Sequence, residues 1–298
     1  MGKASRNKKT NVAAGVPPSK AHTDAMFDIH RAIENAKQLQ PQVQPTVAPA
    51  KFDFSKIHLG IGLPCYGGMM CTTTTTALIR FILMATQVGL MWSLETMCNE
   101  SLVQRGRNSL IAKLASNPAI THFMFIDADI EFQPESIFKM LMEDVDIISG
   151  AYPKKCLPIA YNINLEPETM IRGPIYTVDT AATGFLMYKR KVWQDLVNKH
   201  PEWKYVDDIG LGKEYEQFLY SVFDCYIDDK GHYLSEDWAF CRRAKELGYQ
   251  IWCDSRVLLN HTGTYTFKGD TSLVALKMPE PKPIITETTD GFDTTPFG

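Results

Sequence analysis

From residue 57 onward, short dense apolar runs alternate with stretches where apolar residues recur every three or four positions. "IHLGIGLP" reads as a strand that ends at Pro64 and is followed by the Gly-rich turn "CYGGMM". Residues 74 to 88 have helical spacing, and "MWSLETM" is extended again. "LVQRGRNSLIAKLAS" is an amphipathic helix with Leu102, Leu110, Ile111 and Leu114 on its apolar positions. The strand "FMFID", a helix over 134 to 142 and the strand "VDIISGAY" come next. Beyond them, "ATGFLMYKR" is strand-like and "SEDWAFCRRAKELG" is a helix closed by Gly248, while "YQIWCDS" and "VLLNHTG" are strands. Strands alternating with helices predict a three-layer α/β/α domain on a mainly parallel, Rossmann-like sheet. Its ligand crevice belongs beyond the carboxyl ends of the strands, where "CYGG", "ETM" and "DAD" all fall.

Composition sets the boundaries of this picture. The chain has 298 residues, 45% of them hydrophobic, enough for a full core. Residues 1–50 read as a flexible basic and Pro/Gln-rich segment, with one short helix suggested by Met26, Ile29, Ile33 and Ala36. Residues 51–270 form the domain, and 271–298 are a Pro/Thr-rich tail. A net charge of -3 supplies no overall attraction to nucleic acid or anionic membrane. The seven cysteines are scattered and odd in number, as in a reducing compartment. The greasiest stretch carries Arg80 and Gln87 and is too short to span a bilayer, so the expectation is a cytoplasmic protein without a membrane span.

The chemistry centres on "FMFIDADIEF". Read as one extended chain, it puts Asp127, Asp129 and Glu131 on a single face, where ionised carboxylates need a cation or a donor network. A solvated turn before the helix at Pro134 explains the same residues. Glu236 and Asp237 follow Ser235 at a helix start, where acids suit the dipole and serine suits the cap. His261 fits packing after an apolar strand, Arg105 and Arg107 fit a solvated helix face, and Lys154 and Lys155, past a strand end where they could meet phosphate, fit a solvated pair better.

Taken in order, "GLPCYGG", "RGRNSL", "FMFIDADIEF", "ISGAYPKK", "ATGFLMYKR", "SEDWAFCRRAKELG" and "NHTG" resemble GT-A-fold glycosyltransferases. The likeness is to the family-2-like branch of bacterial and phage genomes and covers about residues 56–267. It implies a hexosyl- or pentosyltransferase working in a bacterium or phage-infected cell. Asp127 and Asp129 match the DxD motif, which holds Mn²⁺ or Mg²⁺ on the diphosphate of a nucleotide-sugar donor, a UDP-sugar above all. His261 matches a histidine that completes the metal site. Pro64 and Tyr66 match the loop against the nucleotide base, and Arg107 and Asn108 match a pair near base and diphosphate. Ala128 belongs to the DxD turn, and Gly184 to the "ATGF" segment that lines the sugar. Glu236 and Asp237 match the "ED" pair, whose aspartate is the base in inverting members. The acids expected at the end of the second strand are not evident, and Glu95 stands in for them. The late histidine is commoner in retaining enzymes, so the steric course stays open between the two.

Two other readings share these residues. A sugar nucleotidyltransferase should carry a cation in its first loop, which "CYGGMMCTTTTT" does not. A non-catalytic nucleotide-sugar-binding protein would need none of the acids. The acceptor is open among a glycan, a lipid-linked sugar, a protein side chain and a modified DNA base.

Overall fold

The computed structural model describes residues 52–263 and 265–272. The expected N-terminal segment and nearly all of the C-terminal tail lie outside the described residues. The chain runs through β1 (His58–Cys65), α1 (Thr72–Val88), β2 (Met91–Cys98), α2 (Val103–Ala115), β3 (His122–Ile126) and β4 (Ile130–Phe132). It continues through α3 (Glu135–Met142), β5 (Ile147–Ser149), β6 (Ile163–Leu165), β7 (Ile171–Arg172), β8 (Ile175–Ala181) and β9 (Phe185–Lys189). The last elements are α4 (Arg190–Lys199), β10 (Tyr226–Ile227), β11 (Tyr233–Leu234), α5 (Glu236–Glu246), β12 (Ile251–Asp254), β13 (Leu259–Thr262) and β14 (Thr266–Phe267).

Nine strands form one mixed α/β sheet in the order β2-β1-β3-β9-β5-β12-β8-β6, with β7 also paired to β8. β1 is parallel to both β2 and β3, and β5 to β12, whereas β9 and β8 run antiparallel to their neighbours. All strands but β8 and β9 therefore point the same way. The sequence pattern foresaw the common direction and not the two reversals.

Alternation along β3 explains the layers. Phe123 and Phe125 enter a core with Leu110, Ile111, Phe223 and Phe240, on the side of α2, α4 and α5. Met124 and Ile126 enter a second core with Leu59, Ile61, Phe81 and Phe138, on the side of α1 and α3. Burial on both faces makes these central strands continuous apolar runs rather than half-polar ones. A Cβ on Gly62 would stand 3.0 Å from the Phe125 ring and 3.3 Å from Leu110, so glycine there lets α2 lie close on β1. Gly248, with φ of +85°, closes α5 as expected. No helix among the described residues is long and apolar enough to cross a membrane.

The single acidic face expected along 127–131 does not form. β3 ends at Ile126, the amide of Asp127 bonds to the carbonyl of Gly184 at 2.9 Å, and the amide of Ile130 returns to the carbonyl of Asp127 at 3.1 Å. These bonds make residues 127–129 a turn. β4 then leaves the main sheet to pair with β13, where Glu131 accepts a hydrogen bond from Asn260 at 2.9 Å.

Candidate active site

The carboxyl ends of β1, β2 and β3 open onto one cleft of about 540 Å³. Its walls are largely apolar, with Pro64, Tyr66, Met69 and Met97, and its polar edge carries Glu100, Asp127 and Asp129. Tyr66 and Met69 are each 74% exposed, so the rim offers flat and polarisable surface to a ligand. The amide of Cys71 bonds to the carbonyl of Ala128 at 2.8 Å, tying the β1–α1 loop to the acidic turn.

Two neighbours bring the remaining groups to that turn. β9 runs antiparallel to β3, so Gly184 arrives beside Asp127. A Cβ at Gly184 would lie 2.5 Å from the Tyr152 hydroxyl and 2.7 Å from the Asp127 carboxylate, and only glycine fits. β13 pairs with β4, so His261 sits opposite Ile130, and the amide of Thr262 bonds to the carbonyl of Asp129 at 2.8 Å.

Arg107 is the hub of the inner half. It projects from α2 into the interior, 2% exposed, with its guanidinium over the Phe125 ring at 5.0 Å. Its Nη2 donates to Asp127 at 2.9 Å and its Nε to Glu236 at 3.3 Å. Burial works against its charge, and the Asp127 and Glu236 carboxylates more than offset that, keeping it protonated. Nη1 is buried with no partner among the described residues. Burial raises the Glu236 carboxyl above its usual range; Arg107 pulls it down and Asp237 pushes it up again. The Thr183 hydroxyl also donates to Glu236, at 3.4 Å. Asn108 is buried as well, its side-chain carbonyl accepting the Phe223 amide at 3.0 Å. A solvated helix face is thus ruled out for Arg107, and neither Arg107 nor Asn108 is among the residues lining the cleft.

The outer half is built on Asp129. His261 Nδ1 lies 2.9 Å from the carbonyl of Pro153, which can only accept, so Nδ1 carries the proton. Nε2 faces Asp129 Oδ1 at 3.4 Å. Tyr152 packs edge-on against the imidazole with ring centres 5.2 Å apart, fixing its plane. Lys155 forms an ion pair with Asp129 Oδ2. Burial would raise the Asp129 carboxyl, but His261 and Lys155 hold it below its usual range.

Asp237 stands in the first turn of α5. Its carboxylate accepts from the Ser235 hydroxyl and from the Trp238 amide, the latter at 2.8 Å. Ser235 therefore gives its proton to Asp237 instead of accepting an amide as a helix cap. No cation pairs with Asp237 among the described residues.

Glu95 points elsewhere. It lies inside β2, opposite Gly62, 3.8 Å from Lys113, and is not among the cleft-lining residues. The acid that lines the cleft beyond β2 is Glu100. Arg105, donating at 2.8 Å, lowers its pKa despite burial, and the Leu102 amide helps. Its place in "CNESLV", just past the strand, was the signal. The pairing of Lys155 with Asp129, in place of a solvated pair with Lys154, was not foreseen because nothing local links the two residues.

The residues fit a divalent ion in part. A ring nitrogen and a carboxylate oxygen face one another, and the other ring nitrogen is anchored on a carbonyl, as metal-binding histidines usually are. Asp127 is turned to Arg107, and no three His, Cys, Asp or Glu side chains converge among the described residues. Two protein donors completed by substrate phosphate oxygens is a common arrangement for Mg²⁺ and its relatives.

No family model matches the chain, and neither does any curated protein. Among solved structures, A197 from STIV is similar at 14% identity and a TM-score of 0.41, over 72% of this chain and 95% of its own. The inositol-1-phosphate CTP transferase from T. maritima is similar at 11% identity and a TM-score of 0.39, over 70% and 89%. A glycosyltransferase involved in the glycosylation of the major capsid of PBCV-1 is similar at 15% identity and a TM-score of 0.28, over 66% and 92%. At these values the likenesses carry no activity across.

Proposed function

We propose that this protein is a divalent-metal-dependent glycosyltransferase that moves a sugar from a nucleotide-sugar donor, a UDP-sugar, to an acceptor hydroxyl. The observation behind this reading is the acidic turn on the polar edge of an apolar cleft, where Asp127 is joined through Arg107 to Glu236 and Asp129 faces His261. The base stacks on Tyr66 and Pro64, and the diphosphate lies along the acidic turn. Asp129 and His261 would hold the ion, with Asp127 beside them, and the ion supplies charge neutralisation to the departing diphosphate.

Asp237 acts as the base. Glu236 is engaged by Arg107 and Thr183, whereas Asp237 has no cation holding its charge. It takes the proton of the acceptor hydroxyl as that oxygen bonds to the anomeric carbon. The bond from that carbon to the diphosphate oxygen breaks, and the diphosphate leaves with the electron pair. Such acid–base help is worth about 10²–10⁴ in rate. The β1–α1 loop, "YGGMMC", carries no lysine or arginine, which favours glycosyl over nucleotidyl transfer.

Incubating the purified protein with a panel of nucleotide sugars and Mn²⁺ tests the reading. Release of nucleoside diphosphate that EDTA stops is the expected result. Pyrophosphate formation from a sugar phosphate and a nucleoside triphosphate would replace it with the nucleotidyltransferase.

A further inference from the structure

Asp129 presents two oxygens, and each already faces a group of this chain. Oδ1 faces His261 and Oδ2 is taken by the Lys155 ammonium. The lysine is placed there from both ends. The loop that carries it is tied at its base by the Lys154 amide bonding to Ala160 at 2.7 Å and by the bridge between Pro153 and Tyr161. Its stem runs over Gly263, two residues past His261, where a Cβ would stand 3.2 Å from Lys155 Cδ. Lys154, next in sequence, has no acidic partner for its side chain among the described residues.

An ammonium and a divalent cation repel, and both want the same carboxylate. We propose that Lys155 is the resting counter-cation of Asp129, and that a divalent ion binds only by displacing it. This rests on the metal reading above. The lysine keeps Asp129 neutralised beside a buried, already acidic cluster, and lowers the affinity of the bare protein for metal.

Calorimetric titration of the full-length protein with Mn²⁺ alone tests this without turnover. The variants are Lys155→Met and, as the control with the same loss of charge, Lys154→Met. Both side chains are on a surface loop, and thermal unfolding checks that each variant is folded. Lys155→Met should bind Mn²⁺ about fivefold more tightly than wild type, the upper range for removing a partly exposed ion pair. Lys154→Met should bind as wild type does. Unchanged or weaker binding by Lys155→Met overturns the proposal, as does equal tightening in both variants, which would be a general charge effect. If wild type binds Mn²⁺ and the variants match it, the metal reading survives and this inference does not. Absence of binding in all three overturns both.

Discussion

Asp237 and Glu236 are adjacent in sequence and differ in surroundings. Asparagine at 237 keeps the size and the acceptor for the Trp238 amide, but cannot take a proton. Asp237→Asn should cut transfer by about 10²-fold or more while donor affinity, measured by calorimetry, stays near wild type. Loss of donor binding together with turnover would assign Asp237 to the donor instead. Arg107 makes a different prediction because it is buried between two carboxylates. Arg107→Met leaves Asp127 and Glu236 without their cation and should cost about 3–5 kcal/mol in chemical denaturation. Lysine keeps the charge, lacks the fork that serves both acids, and should fall between. These roles were only partly legible beforehand. "DAD", "SED" and "NHTG" could be picked out because acids and histidine at strand and helix ends are conspicuous. That Arg107 turns inward was not, since helical spacing alone does not say which face of a mixed helix is covered from both sides.

At the level of elements, the acidic turn is held because β9 pairs antiparallel with β3 and brings the Gly184 carbonyl to the Asp127 amide. Gly184 is where the two backbones and two side chains crowd together, so Gly184→Ala should lower stability by about 1–3 kcal/mol and weaken donor binding through a displaced Asp127. Thermal unfolding and donor titration measure the two effects. β1 and β3 were readable as short dense apolar runs, and α1 and α2 by their helical spacing. β4 was not, because "IEF" after "DAD" looks like more of the same strand, and its escape is decided by pairing with β13, over a hundred residues on. α4 went unread although Val192, Trp193, Leu196 and Val197 are its buried stripe, because its flanking charges blur the start.

For the molecule as a whole, acid should be destabilising through a histidine remote from the cleft. His122, at the start of β3, has its pKa lowered to about 4 by burial and then by Lys189. The unfolded chain takes up this proton near pH 6.5, and the folded chain does not until about pH 4. Between those values the unfolded state binds more protons, so stability falls as pH falls, by about 3 kcal/mol. Urea unfolding at pH 7 and pH 4 should show a smaller drop for His122→Gln than for wild type. The sheet order has a further consequence, for synthesis. The strand that lies between β3 and β5 is β9, which the ribosome makes after both. Until residues 185–189 emerge, β3 waits with one open edge, and β5 cannot join the sheet of β1, β2 and β3. Gly184 emerges with that strand and supplies the carbonyl that locks Asp127. The centre of the sheet therefore closes only when β9 arrives, and a nascent chain that ends before residue 184 lacks the carbonyl that locks Asp127.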